Sequence, residues 1–151
     1  MEGLLQRYAD VAGADAVTQL RQLAEPLQGI RVIHVNSTRV GGGVAEILSQ
    51  LVPLLQELGL DVEWCTIEGN PDFFACTKKF HNCLQGAGDR PSEQDLRIYE
   101  KINAENAERL KAVLTEADVV FIHDPQPAAL IRYFPERHGI WIWRCHIDVS
   151  H

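Results

Sequence analysis

The chain has 151 residues, of which 46% are hydrophobic, enough for one domain with its own core. Its formal net charge of −7 argues against nucleic acid and against an anionic membrane surface as main partners. Residues 1–25 lack the basic start and apolar core of a signal peptide, and no apolar run is long enough to span a bilayer. We therefore expect a cytoplasmic protein whose four cysteines stay reduced.

The first half of the chain predicts a helix followed by a strand, a second helix and a second strand. Leucines at helical spacing predict a helix over 14–25, and a β-rich run predicts a strand over 30–35. A broad apolar face predicts a helix over 44–58, kinked or loosened at Pro53, before a strand over 60–67. This order is typical of a βαβ unit, so we expect two parallel strands joined by a right-handed crossover.

The second half of the chain continues the alternation of helices and strands. We expect helices over 73–84, 92–114 and 128–134, and strands over 117–122 and 139–143. The third strand shows no alternation, which is typical of a strand buried on both faces. The predicted fold class is α/β, with a Rossmann-like parallel sheet of at least four strands and helices on both faces.

Local patterns also predict the cap of one helix and the burial of three aromatic side chains. Ser92 and Asp95 have the spacing of a capping box, although Asp replaces the usual Glu or Gln. Trp141 and Trp143 alternate with isoleucines, so we interpret the last strand as buried and both tryptophans as core residues. His34 lies inside the first strand, and we expect it in the core as well.

Three consecutive glycines, Gly41, Gly42 and Gly43, stand between the first strand and the helix that follows it. Glycine lets the backbone approach an anion closely, and a helix N-terminus offers free N–H groups with a partial positive charge. A flexible turn is the alternative, but three glycines in a row cost conformational entropy. We favour a phosphate-binding loop, although no Gly-Lys-Ser/Thr follows and a Walker loop is excluded.

A nicotinamide-dinucleotide site is the competing interpretation of this loop. Gly41 and Gly43 fit the first two glycines of G-x-G-x-x-G, but Glu46 occupies the third position. The segment between the strand and the glycines is also too long for that fingerprint. In its favour, Glu68 stands at the end of the second strand, where a ribose-binding acid would lie. An NAD-binding Rossmann domain of an oxidoreductase therefore stays an alternative.

Polar side chains follow the third and fourth strands where each of them ends. His123 and Asp124 follow the third strand, and Arg144, His146 and Asp148 follow the fourth. Because ligands of parallel α/β sheets bind outside the carboxyl ends of the strands, we expect these groups to converge with the glycines on one crevice.

His146, Asp148 and His151 could in principle form a metal cluster. Their spacing matches no established metal motif, and a loop can place such residues in many ways. We expect no metal site here.

Six segments, in their order along the chain, closely resemble the trehalose synthases of the glycosyltransferring type, which are retaining GT-B glycosyltransferases related to trehalose phosphorylase. They are His34–Thr38, Gly41–Glu46, Trp64–Gly69, Phe80–Asn82, His123–Pro127 and Trp141–Asp148. The resemblance implies a reversible reaction in which a nucleoside-diphosphate glucose and glucose give trehalose and the free nucleotide. It also implies two Rossmann-like domains with the active site between them.

The resemblance covers only the N-terminal domain of that family. We therefore expect residues 1–151 to be a truncated acceptor-side domain, with the C-terminal nucleotide-sugar domain absent. Since the family holds the nucleotide in that second domain, we expect the isolated chain to be inactive. A non-catalytic sugar- or nucleotide-binding remnant is a further alternative.

Site residues follow from the resemblance position by position. The loop Gly41–Gly43 would bind substrate, with its last two glycines against the diphosphate and the transferred sugar. Asp124 would accept hydrogen bonds from sugar hydroxyls, and His146 would lie beside the donor glucose, close to the reacting carbon. Arg144 and Asp148 would flank that site. The implied catalytic residues are His146, Asp124 and Arg144, and Asp148 is an implied substrate-binding residue.

The expected ligands are glucose, trehalose and a nucleoside-diphosphate glucose. The absent C-terminal domain is the expected protein partner, and a homodimer is a candidate assembly. No tightly bound cofactor is expected, and Mg²⁺ is considered only as a companion of the nucleotide sugar.

Overall fold

The structure is a computed structural model that describes residues 3–149. Its α-helices are α1 (Leu4–Ala12), α2 (Ala14–Ala24), α3 (Gly43–Glu57), α4 (Pro71–Leu84) and α5 (Glu93–Thr115). Its strands are β1 (Arg31–Asn36), β2 (Asp61–Thr66), β3 (Val119–His123) and β4 (Ile140–Arg144). Short 3-10 helices follow α2 at Glu25–Leu27 and β3 at Ala128–Tyr133.

The four strands form one parallel sheet in the order β2-β1-β3-β4, which confirms the predicted α/β fold. After β1 the chain moves through α3 to β2 on one side, and it then returns through α4 and α5 to β3 on the other side of β1. The loops that follow β1 and β3 therefore diverge at a switch point. In open α/β sheets this is where ligands bind.

Helices cover both faces of the sheet, because alternate residues of β1 point to opposite sides. Ile33 and Val35 join a core with residues of α4 and α5, whereas Val32 packs with residues of α2 and α3. Each large apolar side chain buried in this way contributes roughly 1.5–3 kcal/mol. The two cores hold β1 rigidly between them, so the loop that leaves its carboxyl end starts from a fixed point.

The last strand differs from the expectation. Trp143 is 52% exposed and Ile140 is 65% exposed, so the predictions of a buried strand and of a core position for Trp143 are wrong. Trp141 is half-buried and packs on Phe134, with ring centroids 5.2 Å apart. These side chains are exposed because β4 is the edge strand of the sheet, and β3 is its one partner within residues 3–149.

Helix α1 was not foreseen from the sequence. Its first turn is stabilised by the Glu57 carboxylate, which accepts hydrogen bonds from the N–H groups of Leu4 at 2.6 Å and Leu5 at 3.1 Å. The segment predicted as a helix over 128–134 is the second 3-10 helix, and α3 runs from Gly43 to Glu57 with Pro53 inside it.

The capping box of α5 is confirmed. The Ser92 hydroxyl accepts the Asp95 N–H at 3.2 Å, and the Asp95 carboxylate accepts the Ser92 N–H at 2.8 Å. Hydrogen bonds from Lys79 and then from Ser92 lower the pKa of Asp95 to about 2.

All four cysteines are free thiols, as predicted. Within the described part of the chain, no helix is both long enough and apolar enough to cross a membrane.

Candidate functional site

The glycine loop takes a backbone path that favours glycine. Gly41 has φ 74° and Gly42 has φ 88°, both in the left-handed region that residues with a side chain rarely adopt. Gly42 is the residue that precedes α3, and no side chain caps that end of the helix. The Glu46 N–H bonds the Gly42 carbonyl, and the N–H groups of Gly43, Val44 and Ala45 are therefore left to interact with a ligand or with water.

Gly43 calls for a different explanation. It is the first residue of α3, its φ is not positive, and a Cβ built on it meets no atom within 4 Å. Neither backbone strain nor packing thus requires glycine at this position. A ligand that approaches the backbone closely would require it.

The segment between β1 and the glycines is held by its own side chains. Asn36 is buried; its amide donates to the Thr38 carbonyl at 2.7 Å and accepts the Trp64 indole N–H at 2.7 Å. The Thr38 hydroxyl accepts the Val40 N–H at 3.1 Å and donates to the Val40 carbonyl at 2.8 Å. These bonds fix the path of the loop up to the first glycine.

Asp124 joins the ends of β3 and β4. Its N–H donates to the Arg144 carbonyl at 3.0 Å, and its carboxylate accepts the backbone N–H of His146 at 2.7 Å. The Trp143 indole N–H donates to the Asp124 carbonyl at 2.9 Å. Asp124 has φ 63°, a left-handed conformation that costs roughly 1–3 kcal/mol outside glycine and is tolerated best by Asn and Asp.

Three histidines from separate segments form a chain of hydrogen bonds. His34 Nδ1 lies 3.0 Å from His123 Nε2, and His123 Nδ1 lies 2.9 Å from His146 Nε2. Burial lowers the pKa of His34 to about 4, with a smaller contribution from the Arg144 charge. Burial also lowers the pKa of His123 to about 3, assisted by its two histidine neighbours and Arg144. Both buried rings are therefore neutral at pH 7.

One crevice at the switch point brings the two loops together and encloses about 200 Å³. It contains the three glycines and Asp124, so the structure brings together those predicted residues. His146 lies beside the crevice through its bonds to His123 and Asp124. The residues that line the crevice are Asn36, Ser37, Thr38, Gly41, Gly42, Gly43, Val44, Ala45, His123, Asp124 and Gln126.

Two of the predicted residues lie away from this crevice. Arg144 lines an apolar groove of about 330 Å³ on the α3 side of the sheet, together with His34 and Phe121. Asp148 is exposed and does not line the crevice. His151 lies outside the described residues, so the metal cluster with His146 and Asp148 is not tested. Within residues 3–149, no three His, Cys, Asp or Glu side chains are grouped to hold a metal ion.

Gln126 is a candidate that the sequence did not reveal. It lines the crevice, and its buried side-chain oxygen has no hydrogen-bond partner within residues 3–149. A buried acceptor without a partner is costly, so a ligand that donates a hydrogen bond here would be favoured. The flanking residues Pro125 and Pro127, which restrict the local backbone, were the available signal.

Glu68, the residue that favoured a dinucleotide site, does not line the crevice. Its exposed carboxylate lies 3.7 Å from Arg109 of α5, and its backbone N–H and carbonyl bond the Asn106 side chain at 2.8 and 2.7 Å. A ribose-binding acid has to face the same crevice as the glycines. The position of Glu68 therefore gives the dinucleotide interpretation no support.

The crevice thus has complementary walls. Backbone donors with a partial positive charge lie on the α3 side, and a carboxylate with an amide oxygen lies on the β3 side. Such a pair suits a ligand with an anionic group at one end and hydroxyl donors at the other.

The sequence of this chain matches a known protein family. Residues 34–151 match the family described as trehalose synthase, N-terminal domain. The chain is 48% identical over 147 residues to the trehalose synthase of Thermococcus litoralis, covering 97% of this chain and 35% of that protein. The trehalose synthase of Rubrobacter xylanophilus is also 48% identical, over 149 residues that make up 97% of this chain and 36% of the relative.

A more distant relative is the trehalose phosphorylase of Pleurotus pulmonarius, which is 33% identical over 161 aligned positions, with 96% of this chain and 21% of the relative covered. The chain therefore spans about a third of the length of the trehalose synthases it matches. The family match covers most of the chain and includes every residue of the crevice. This chain belongs to the family of trehalose synthase N-terminal domains.

Proposed function

We propose that this chain is the acceptor-side domain of a retaining glycosyltransferase that forms trehalose reversibly from a nucleoside-diphosphate glucose and glucose. The observation that carries the proposal is the meeting of the Gly41–Gly43 loop and Asp124 across one crevice. The names of the relatives supply the sugar, and the walls of the crevice suit a ligand that combines a diphosphate with hydroxyl groups.

In the proposed reaction the glycine loop acts on the leaving group. As the bond to the anomeric carbon breaks, negative charge develops on the diphosphate oxygen. The N–H groups at the start of α3 would stabilise that charge, and preorganised donors of this kind usually make the largest single contribution to such rates. The absence of a side chain at Gly43 would let the diphosphate reach them.

The opposite wall acts on the sugars. The Asp124 carboxylate and the Gln126 amide oxygen would accept hydrogen bonds from sugar hydroxyls, and His146 would contact the donor glucose near the reacting carbon. Retention without a covalent nucleophile requires the acceptor hydroxyl to be held on the face that the leaving group departs from. There its oxygen would bond the anomeric carbon, and its proton would pass to the departing diphosphate oxygen. Arg144 lines another groove, so the proposed chemistry leaves it out.

The size of the crevice supports a site that two domains share. It encloses about 200 Å³, below the range of about 300–1,000 Å³ that is usual for ligand pockets. We therefore propose that the part of the relatives beyond the matched region supplies the other wall and the nucleotide site. A polypeptide of these 151 residues alone should make no trehalose at rates usual for enzymes, roughly 1 per second or more.

The test joins this chain to the remaining part of the Rubrobacter xylanophilus trehalose synthase, in place of the matched region of that protein. Trehalose formation is measured with ADP-, UDP- and GDP-glucose and glucose, for the fusion and for the 151-residue polypeptide. We expect activity in the fusion alone. A well-folded fusion without activity contradicts the proposal, and so does trehalose synthesis by the short polypeptide. An NADH fluorescence titration of the short polypeptide tests the dinucleotide alternative and should give no binding.

A further inference from the structure

The three histidines form a row of hydrogen-bonded rings that runs from β1, through the end of β3, to the segment after β4. It starts at His34 in the middle of β1, passes through His123 at the end of β3 and reaches His146 after β4. Each contact joins Nδ1 of one ring to Nε2 of the next, at 3.0 and 2.9 Å. Ring centroids are 5.3 Å apart at the first step and 5.2 Å apart at the second.

The proton positions on the three hydrogen-bonded histidine rings are coupled. A neutral imidazole has one N–H donor and one lone pair, so a ring that donates through one nitrogen must accept through the other. His34 and His123 are neutral at pH 7 because burial lowers the pKa of both. Once the proton of His34 is placed, the donor direction of both hydrogen bonds follows.

The surroundings of His34 determine which of its ring nitrogens carries the proton, and so which ring donates in each hydrogen bond. Its Nε2 is buried and has no hydrogen-bond partner in the described part of the chain, so an N–H and a lone pair would both be unsatisfied there and the surrounding charge decides between them. His34 and Arg144 line the same groove, and the positive charge of Arg144 favours a lone pair over an N–H on Nε2, the ring nitrogen of His34 that does not bond His123. The proton of His34 therefore belongs on Nδ1.

We infer that His34 and His123 are positioning residues that hold His146 in the Nδ1–H form, so that it meets its ligand as a hydrogen-bond donor. His34 Nδ1–H donates to His123 Nε2, and His123 Nδ1–H donates to His146 Nε2. The remaining proton of a neutral His146 is then on Nδ1. The partner that fits is an acceptor oxygen of a sugar or phosphate, and a role for His146 as general base is excluded while the chain of bonds is intact.

The assignment of the protons does not depend on the proposed function, but the role of His146 towards a sugar rests on it. The first experiment is therefore spectroscopic. Long-range ¹H–¹⁵N spectra of the 151-residue chain with ¹⁵N-labelled histidine, at pH 7, distinguish protonated from unprotonated ring nitrogens. We expect Nδ1–H at His34, His123 and His146. An Nε2–H form at His123 or His146, or averaged signals from a mixture of forms, overturns the inference.

Two variants of His34 separate positioning from packing. His34→Phe keeps an aromatic ring against Phe121, whose centroid lies 4.9 Å away, but cannot donate to His123. His34→Asn loses the ring and carries both an N–H donor and an acceptor oxygen; the positive charge of Arg144 favours the orientation with the oxygen towards Arg144 and the N–H towards His123. We expect mixed proton positions at His146 in the Phe variant and the Nδ1–H form in the Asn variant. Thermal melts of both variants identify any loss of folding, and the opposite pattern contradicts the inference.

The second experiment uses the active fusion. His34→Phe should lower kcat about tenfold with little change in KM for the nucleotide sugar, and His34→Asn should restore most of the loss. If proton positions shift in His34→Phe while kcat stays unchanged, the proposed role of His146 fails although the hydrogen-bond chain exists. If the fusion has no activity at all, the proposed function fails and the spectra still decide the proton positions.

Discussion

The two walls of the crevice are built in opposite ways. The glycine wall between β1 and α3 is open, because a Cβ at Gly41, Gly42 or Gly43 meets no atom within 4 Å. On the histidine wall, at the ends of β3 and β4, the side chains of His123 and Asp124 take part in hydrogen bonds that join one strand end to the next. A substitution at the glycine wall can therefore alter ligand binding without loss of the fold. At the histidine wall the same hydrogen bonds support both the fold and the proposed binding site.

This difference has an energetic basis. A buried polar group whose partner is removed costs roughly 1–3 kcal/mol, and the cost is shared along a chain of hydrogen bonds. His123 is 1% exposed and bonds two other rings, so changing it disturbs both neighbours. The N–H groups at the start of α3 have no side-chain cap to lose.

The largest expected effect concerns pH and the histidine wall. Unfolded histidine has a pKa of 6.5, whereas burial holds the pKa of His34 at about 4 and of His123 at about 3. Between these values the unfolded chain binds protons that the folded chain does not, so the free energy of unfolding falls as the pH decreases. From pH 7.5 to 5 the loss should be about 2 kcal/mol for each of the two histidines. Urea unfolding at several pH values measures it.

The matched control for this prediction is His34→Asn, which should lose roughly half of the pH dependence. Asp95, whose pKa is lowered from 3.8 to about 2, contributes stability that is lost only as the pH falls below that window. A free energy of unfolding that stays constant from pH 7.5 to 5 contradicts the burial of two neutral histidines. It would also remove the main contrast between the two walls.

The glycine wall could be predicted from the sequence and the histidine wall only in part. The strand, the glycines and the amphipathic helix are consecutive, so local periodicity and glycine spacing were sufficient. The partners of the histidine chain are 89 and 23 residues apart, and which ring nitrogens meet depends on strand register. His34 was correctly expected in the core, but its link to His123 and His146 was not visible.

Other differences have the same origin. Helix α1 depends on Glu57, which is 53 residues from the Leu4 N–H that it binds. The exposure of Trp143 depends on whether another element lies beside β4, and the apolar pattern of the strand contains no such information. Parallel pairing and helices on both faces were predictable because each follows from the order of the elements and from right-handed crossovers.

The next largest effect is expected at Asp124. Asp124→Ala removes the acceptor of the His146 N–H and places alanine at φ 63°. The lost bond costs roughly 1–3 kcal/mol and the left-handed alanine roughly 1–2 kcal/mol more. Asp124→Asn keeps an acceptor oxygen and tolerates this φ, so its free energy of unfolding should stay within about 1 kcal/mol of the wild type.

The same pair of variants in the active fusion distinguishes support of the fold from contact with the sugar. Asp124→Ala should lower kcat/KM at least about tenfold, since a charged hydrogen bond contributes roughly 1.5–3 kcal/mol. Asp124→Asn should also lose activity, because a neutral amide accepts hydroxyl hydrogen bonds less strongly than a carboxylate. Full activity in the Asn variant would mean that the carboxylate serves the strand ends alone.

The smallest effect on stability, and the sharpest test of the glycine wall, comes from comparing Gly42→Ala with Gly43→Ala. Gly42 has φ 88°, so alanine there should cost roughly 1–2 kcal/mol of unfolding free energy. Gly43 begins α3 with space for a Cβ, and alanine there should leave stability unchanged or raise it by up to about 1 kcal/mol.

In the active fusion, Gly43→Ala should nevertheless weaken use of the nucleotide sugar about tenfold, because the methyl group would occupy the space through which the diphosphate reaches the N–H groups. Melts and steady-state kinetics on both variants provide the comparison. Full activity in a stable Gly43→Ala fusion would show that no ligand uses this space, and the loop would then be a turn between β1 and α3.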